Sequence, residues 1–139
     1  MNSNYKLKSA FAAVLLVAIP FAQLSQAATG DKTALKSSDA NAKAQYKADK
    51  EKCGAMTANA KDICMQEAKG QLKVARAEGE FAYSGKPKDQ TNVAVTKAHV
   101  AYAVAKEKCD DQTGNAKSVC VKDAKAAETS AMADAKMIK

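Results

Sequence analysis

Lys50-Glu51-Lys52-Cys53 followed by Asn59-Ala60-Lys61, Cys64 and Ala68-Lys69 returns later in the chain as Lys106-Glu107-Lys108-Cys109, Asn115-Ala116-Lys117, Cys120 and Ala124-Lys125. The offset between the two copies is constant at 56 residues, as from Cys53 to Cys109. Tyr46 coincides with Tyr102 and Thr57 with Thr113 on the same offset. All four cysteines of the chain lie inside this repeat. A unit that contains its own pair of cysteines is a unit that can close by itself, and that sets the fold.

Each unit reads as helix, short loop, helix. Around the cysteines the chain is rich in Ala, Lys, Glu and Asp and poor in β-branched residues. Ala and straight-chain charged residues lose little rotamer freedom in a helix. Asn59 and Asn115 each precede a helical run, and Asn is a favoured N-cap because its side chain accepts a free amide of the first turn. Asp62 adds negative charge at the positive end of that helix. Gly114 offers the positive φ that ends a preceding helix. Gly85 and Pro87 break the pattern between the copies. Helices are expected near 39–55, 59–82, 91–109 and 115–138. The domain reading is a leader over 1–27, a disordered arm over 28–38, repeat one over 39–82, a linker over 83–90 and repeat two over 91–139. The fold class is all-α: two disulfide-closed antiparallel α-hairpins, packed as a small four-helix bundle or left as an elongated pair.

The second copy shows the packing pattern. Val95, Ala98, Tyr102, Ala105 and Cys109 recur at helical spacing, as do Cys120, Ala124, Ala127, Ala131, Ala135 and Ile138. Such narrow stripes form helix–helix seams. Folding the stripes together at the cysteines sets Tyr102 against Ala127 and Ala98 against Ala131. In the first copy Asp49 interrupts the matching stripe of Ala42, Tyr46 and Cys53, so hairpin one is expected to be the looser.

Cysteines eleven residues apart on one continuous helix would be separated by roughly 16 Å. A disulfide needs Cα atoms about 5.5 Å apart, so the chain between them must turn. Four cysteines permit three pairings. The repeat favours Cys53–Cys64 and Cys109–Cys120, each closing its own unit and contributing about 2–3 kcal/mol. Zinc sites usually place cysteines two to four residues apart with further Cys or His ligands. Here the gaps are longer and His99 is the only histidine. There is no Cys-x-x-Cys redox or haem motif. Twin-Cys hairpins place two cysteines on each helix, whereas each helix here has one.

The N-terminus points to export. Lys6 and Lys8 precede an apolar run from Ala10 to Phe21, and Ser25-Gln26-Ala27 is a small-x-small cleavage signal. The run is short for a membrane span. Removal of residues 1–27 leaves 112 residues carrying +5, since two lysines and no acid go with the leader. No transmembrane segment then remains, and the localisation expected is periplasmic or secreted, where disulfides persist. Aromatic residues are 5% of the chain and Trp is absent, so the core is expected to be thin.

No catalytic constellation is present in the sequence: the acids stand singly among lysines, and no Ser or Cys nucleophile has a legible base. An enzyme is not expected, and no cofactor or metal is called for. His99 reads as a solvated helix residue. Met56, Met65, Met132 and Met137 are soft ligand types, but their scatter favours packing against alanine surfaces. Lys61, Lys69, Lys73 and Arg76, with Lys117 and Lys125 repeating the start, suggest a basic face for anionic lipids, cell-wall polymers or nucleic acid. Interspersed Glu67, Glu78, Asp123 and Glu128 favour a solvated surface instead, and no aromatic residues interleave for base stacking. The partners to expect are an envelope protein or an anionic envelope polymer.

The run Lys106-Glu107-Lys108-Cys109-Asp110-Asp111 with Gly114-Asn115-Ala116-Lys117 and Cys120 resembles a group of small exported Ala/Lys-rich proteobacterial proteins carrying a Lys-Cys…Gly-Asn-Ala-Lys…Cys repeat. The resemblance spans about Ala42 to Lys136, and the first copy departs from it with Ala58 in place of Gly. It implies a periplasmic helical protein with no inherited catalytic residues. The role expected is structural, protective or protein-interacting in the cell envelope.

Overall fold

The computed structural model describes residues 30–138; the leader expected over 1–27 lies outside them. Four helices follow one another: α1 (Lys32–Gly54), α2 (Ala58–Ser84), α3 (Pro87–Cys109) and α4 (Gly114–Lys136). At about 1.5 Å per residue these are rods of roughly 35–40 Å. Disulfides join Cys53 to Cys64 and Cys109 to Cys120, with Cα atoms 5.5 and 5.7 Å apart. The protein is therefore all-α, built from two disulfide-closed antiparallel hairpins.

The hairpins pack together through α2 and α3. Among the described residues only helices successive in the chain touch one another; α1 and α4 do not meet. The bundle is open, a single layer of helices running up, down, up and down. It follows from where the small residues lie. On α2, Ala68 and Gly79 face α1, while Gly70 and Ala77 lie on the opposite side toward α3. A helix with narrow small-residue stripes on two opposed sides packs in a row, whereas a bundle requires one broad apolar face.

The core is as thin as the composition implies. Among the described residues the buried apolar side chains are Cys53, Ala68, Ala77, Ala98, Cys109 and Ala135. The largest that are fully buried are the cysteines Cys53 and Cys109. The α2–α3 contact is tightest at Gly70, where an added Cβ would meet Val100 Cγ1 at 2.3 Å.

Several boundaries differ from the expected ones. Helix α1 begins at Lys32, so most of the arm expected to be disordered over 28–38 is helical. Asp31 caps it by accepting the Thr33 amide at 2.7 Å. Leu35 and Ser38 then lie against Gly79 of α2, which extends the helix through its serines. The linker expected over 83–90 shrinks to Gly85 and Lys86. Gly85 takes the left-handed conformation at φ 62° and donates its amide to Phe81 O at 2.8 Å. Pro87 opens α3 at a position where a helix needs no amide donor. The Ser84 hydroxyl bonds the Asp89 carboxylate across the turn.

The seam of hairpin two is shifted by one position. Cys109 pairs with Cys120 as expected, and Val95, Ala98, Tyr102 and Ala105 do line α3 toward α4. On α4, however, Ala127 and Ala131 are exposed and Glu128 is buried in their place. Hairpin one is not the looser of the two: α1 packs along α2 as far as Leu35. Asp49 is accommodated within α1, where Gln45 donates to both its oxygens at 2.9 Å and Lys52 lies at 3.2 Å. The Gln45 hydrogen bond, with Lys52 beside it, holds the Asp49 carboxyl below its ordinary value.

The cysteine loops place one residue in the left-handed region in each copy: Gly114 at φ 57° and Ala58 at φ 50°. Gly adopts this geometry freely, whereas a Cβ is strained there. Nothing lies within 4 Å of a Cβ added to Gly114, so the cost there is purely conformational. We expect Ala58→Gly to raise, and Gly114→Ala to lower, the unfolding free energy by about 1 kcal/mol each in urea titrations of the oxidised chain. Equal midpoints for all three proteins would contradict this loop geometry.

Candidate functional site

On one face of the layer, Gln66, Lys69 and Lys73 of α2 and Thr96 and His99 of α3 line a groove of about 310 Å³. Gly70, Val100 and Ala103 also line it. Gly70 and Val100 lie where α2 and α3 approach most closely along it: Val100 fills the space of the missing Cβ of Gly70. Lys69 and Lys73 are one helical turn apart and therefore project from the same side of α2.

The six basic residues weighed as an anion-binding face divide among different tasks. Lys69 and Lys73 are exposed beside the groove. Arg76 instead bonds Asp39 of α1 at 2.7 Å, tying the two helices of hairpin one. Lys43 shares that aspartate at 2.6 Å, and Lys43 and then Arg76 hold the Asp39 carboxyl below its ordinary value. Lys117 pairs with Asp110 across the second cysteine loop at 3.0 Å. Lys125 pairs with Glu128 at 2.7 Å and lies 5.1 Å from the Tyr102 ring centroid. Lys61 sits on the first turn of α2 beside the first cysteine loop. The structure thus brings Lys69 and Lys73 together and employs Arg76, Lys117 and Lys125 in holding the fold.

His99 is not simply solvated. Its Nδ1 donates to Glu128 Oε1 at 2.6 Å, and the Glu128 side chain is only 3% exposed. Lys125 takes the other carboxylate oxygen, so Glu128 is satisfied on both sides. Lys125 and then His99 hold the Glu128 carboxyl below its ordinary value, and Glu128 in turn raises Lys125. Glutamate reads as a surface residue, which concealed this one from a hydrophobic pattern. The repeat alignment carried the signal: Glu128 stands where the first copy has Leu72, a half-buried seam residue.

Asn59 has a different part from the one expected. Thr57 and Thr113 occupy the N-cap positions of α2 and α4, and neither side chain caps its helix. Asn59 instead donates to Glu107 O at 2.8 Å. That carbonyl, in the last turn of α3, also accepts the C-cap amide of Asp110 at 3.0 Å, and Asn59 adds a second bond to it. The residue thus clips hairpin one to hairpin two. Lys108–Glu67 at 3.1 Å and Lys97–Glu78 at 2.7 Å follow along the same junction.

Among the described residues no group of three His, Cys, Asp or Glu side chains is placed to hold a metal ion. Met56 and Met137 are exposed at separate points, in the first cysteine loop and just past the end of α4. Among the described residues no helix is long and apolar enough to cross a membrane. The two disulfides fit an oxidising, extracytoplasmic environment. No protein-family model, curated protein or solved structure matches the chain.

Because folding lowers the Glu128 carboxyl, its stabilising effect is present above the ordinary value of 4.5 and lost as pH falls through the lower folded-state value. Replacement by the first copy's residue, Glu128→Leu, should keep the fold and remove that part of its acid sensitivity. Thermal melts at neutral pH and at about pH 3 then show a narrower gap between midpoints than in the wild type. An unchanged gap would contradict the role assigned to Glu128.

Proposed function

We propose that this is a non-enzymatic protein of the periplasm or the secreted space, with its leader removed, and that it acts as a structural or protein-interacting element of the cell envelope. One observation carries the reading: among the described residues each helix touches only its neighbours in sequence, so no part of them covers the edges or faces of the layer. A chain of this length usually buries its apolar stripes against each other. This one keeps the accessible surface of a repeat protein, whose function lies in extended contact with macromolecules. The disulfides hold that surface in shape where a large core is absent.

Affinity capture from an envelope extract tests it. A specific protein or polymer partner is retained by the oxidised chain and lost after reduction. Retention of nothing beyond what an unrelated basic helical protein retains would sink the proposal.

A second reading is favoured by the groove between α2 and α3. Lys69 and Lys73 beside Thr96 and His99 suit an anionic group such as a phosphate or carboxylate of a lipid or cell-wall polymer. Binding to anionic vesicles or polymer should weaken as salt screens the lysines. It should fall by about tenfold or more in a Lys69→Glu, Lys73→Glu double variant. Binding that is indifferent to both salt and the double substitution would remove this reading.

A further inference from the structure

The two edges of the layer are the two halves of the junction at its centre. On the 56-residue offset α3 corresponds to α1 and α4 to α2. Helix α2 is covered by α3 along the junction; the corresponding side of α4, away from α3, has no helix against it among the described residues, and neither has the outer side of α1. We propose that the chain assembles head to tail with copies of itself, α1 of one copy seating on α4 of the next as α3 seats on α2. The proposal rests on the interaction role above and names the partner: a second copy of this chain.

The residues that make the central junction recur at the edges in complementary form. Asn59, which donates to Glu107 O, corresponds to Asn115; Glu107 corresponds to Glu51. Asn115 is exposed and has no such partner among the described residues. Glu67, which pairs with Lys108, corresponds to Asp123; Lys108 corresponds to Lys52. The acid stays on one side and the lysine on the other. Glu78 likewise becomes Asp134, opposite Asn41 in place of Lys97. Both aspartates lack an ion pair among the described residues, and Lys52 is 70% exposed with only Asp49 of its own helix as partner.

The close-approach point shows the same matching in volume. At the centre Gly70 receives Val100, and a Cβ on residue 70 would lie 2.3 Å from Val100 Cγ1. At the edges the glycine is replaced by Ala126 and the valine by Ala44. The added Cβ on α4 meets a partner shortened where the collision would occur, so the two helices can reach a similar separation. Ala133 stands in the place of buried Ala77.

The apolar residues of α2 are also retained. Ile63 and Phe81 are half-buried, whereas their counterparts Val119 and Met137 are 47% and 69% exposed. Large exposed apolar side chains without a cover mark an interaction surface. Reapplication of the relation between the hairpins makes a heterologous contact, which extends into a chain of subunits or closes into a ring.

Sedimentation velocity of the oxidised chain over a range of concentrations tests the proposal. We expect a series of species that grows with concentration. Asp123→Lys should weaken the association by at least about tenfold, by opposing Lys52 with a second cation. Asp123→Lys combined with Lys52→Asp should restore it. Far-UV circular dichroism establishes that each variant is folded. A folded double variant that stays monomeric, or a wild type that is monomeric at all concentrations, overturns self-assembly. A monomeric wild type that still captures an envelope component leaves the interaction role standing, and one that captures nothing removes both.

Discussion

Two disulfides, each at the tip of a helical hairpin, are the constraint on which this structure depends. Among the described residues Cys53 and Cys109 are the largest side chains that are wholly buried, and the remaining buried apolar residues are alanines. At about 25 cal/mol per Å² of apolar area, alanine burial supplies little of the free energy that a domain needs. Helices longer than 20 residues lose much conformational entropy when they dock. A bond between the two strands of each cysteine loop restricts that freedom in the unfolded chain as well. The seams then need only hold helices whose ends are already joined, and small residues let them lie close.

The same small residues explain the open shape. A bundle closes when each helix turns one wide apolar face inward. Here α2 has Ala68 and Gly79 on one side and Gly70 and Ala77 on the other, so it accepts a neighbour on each. The polar contacts follow this plan. Arg76–Asp39 ties α1 to α2, Asn59 and two lysine–glutamate pairs tie α2 to α3, and Glu128 with His99 ties α3 to α4. Exposed ion pairs contribute little individually. Their value here is in fixing register between helices whose alanine surfaces would otherwise slide.

Much of this was legible in the sequence, because a repeat states its own boundaries. The 56-residue offset, the cysteine spacing and the Gly-Pro break gave two hairpins with the observed pairing. What stayed hidden was tertiary. Ser37 and Ser38 read as an arm, yet α1 continues through them because Leu35 and Ser38 lie beside Gly79, a contact distant in sequence. Asn59 reads as a cap for its own helix, yet it serves a carbonyl 48 residues away. Glu128 reads as solvated until His99 is seen across the seam and Lys125 one turn back on its own helix. The basic face dissolved for the same reason: a lysine pattern does not show which lysines have acids beside them. Of the six basic residues, Lys69 and Lys73 line the groove beside Gly70.

The central claim is that the hairpin staples, rather than a packed core, keep the four helices in place. Unfolding of the chain followed by far-UV circular dichroism, with both disulfides intact and after their complete reduction, tests it most directly. The account predicts that the oxidised chain melts cooperatively, and that the reduced chain has lost most of its helical signal and its sharp transition at about 37 °C. A reduced chain with the same helicity and the same midpoint as the oxidised one would contradict it.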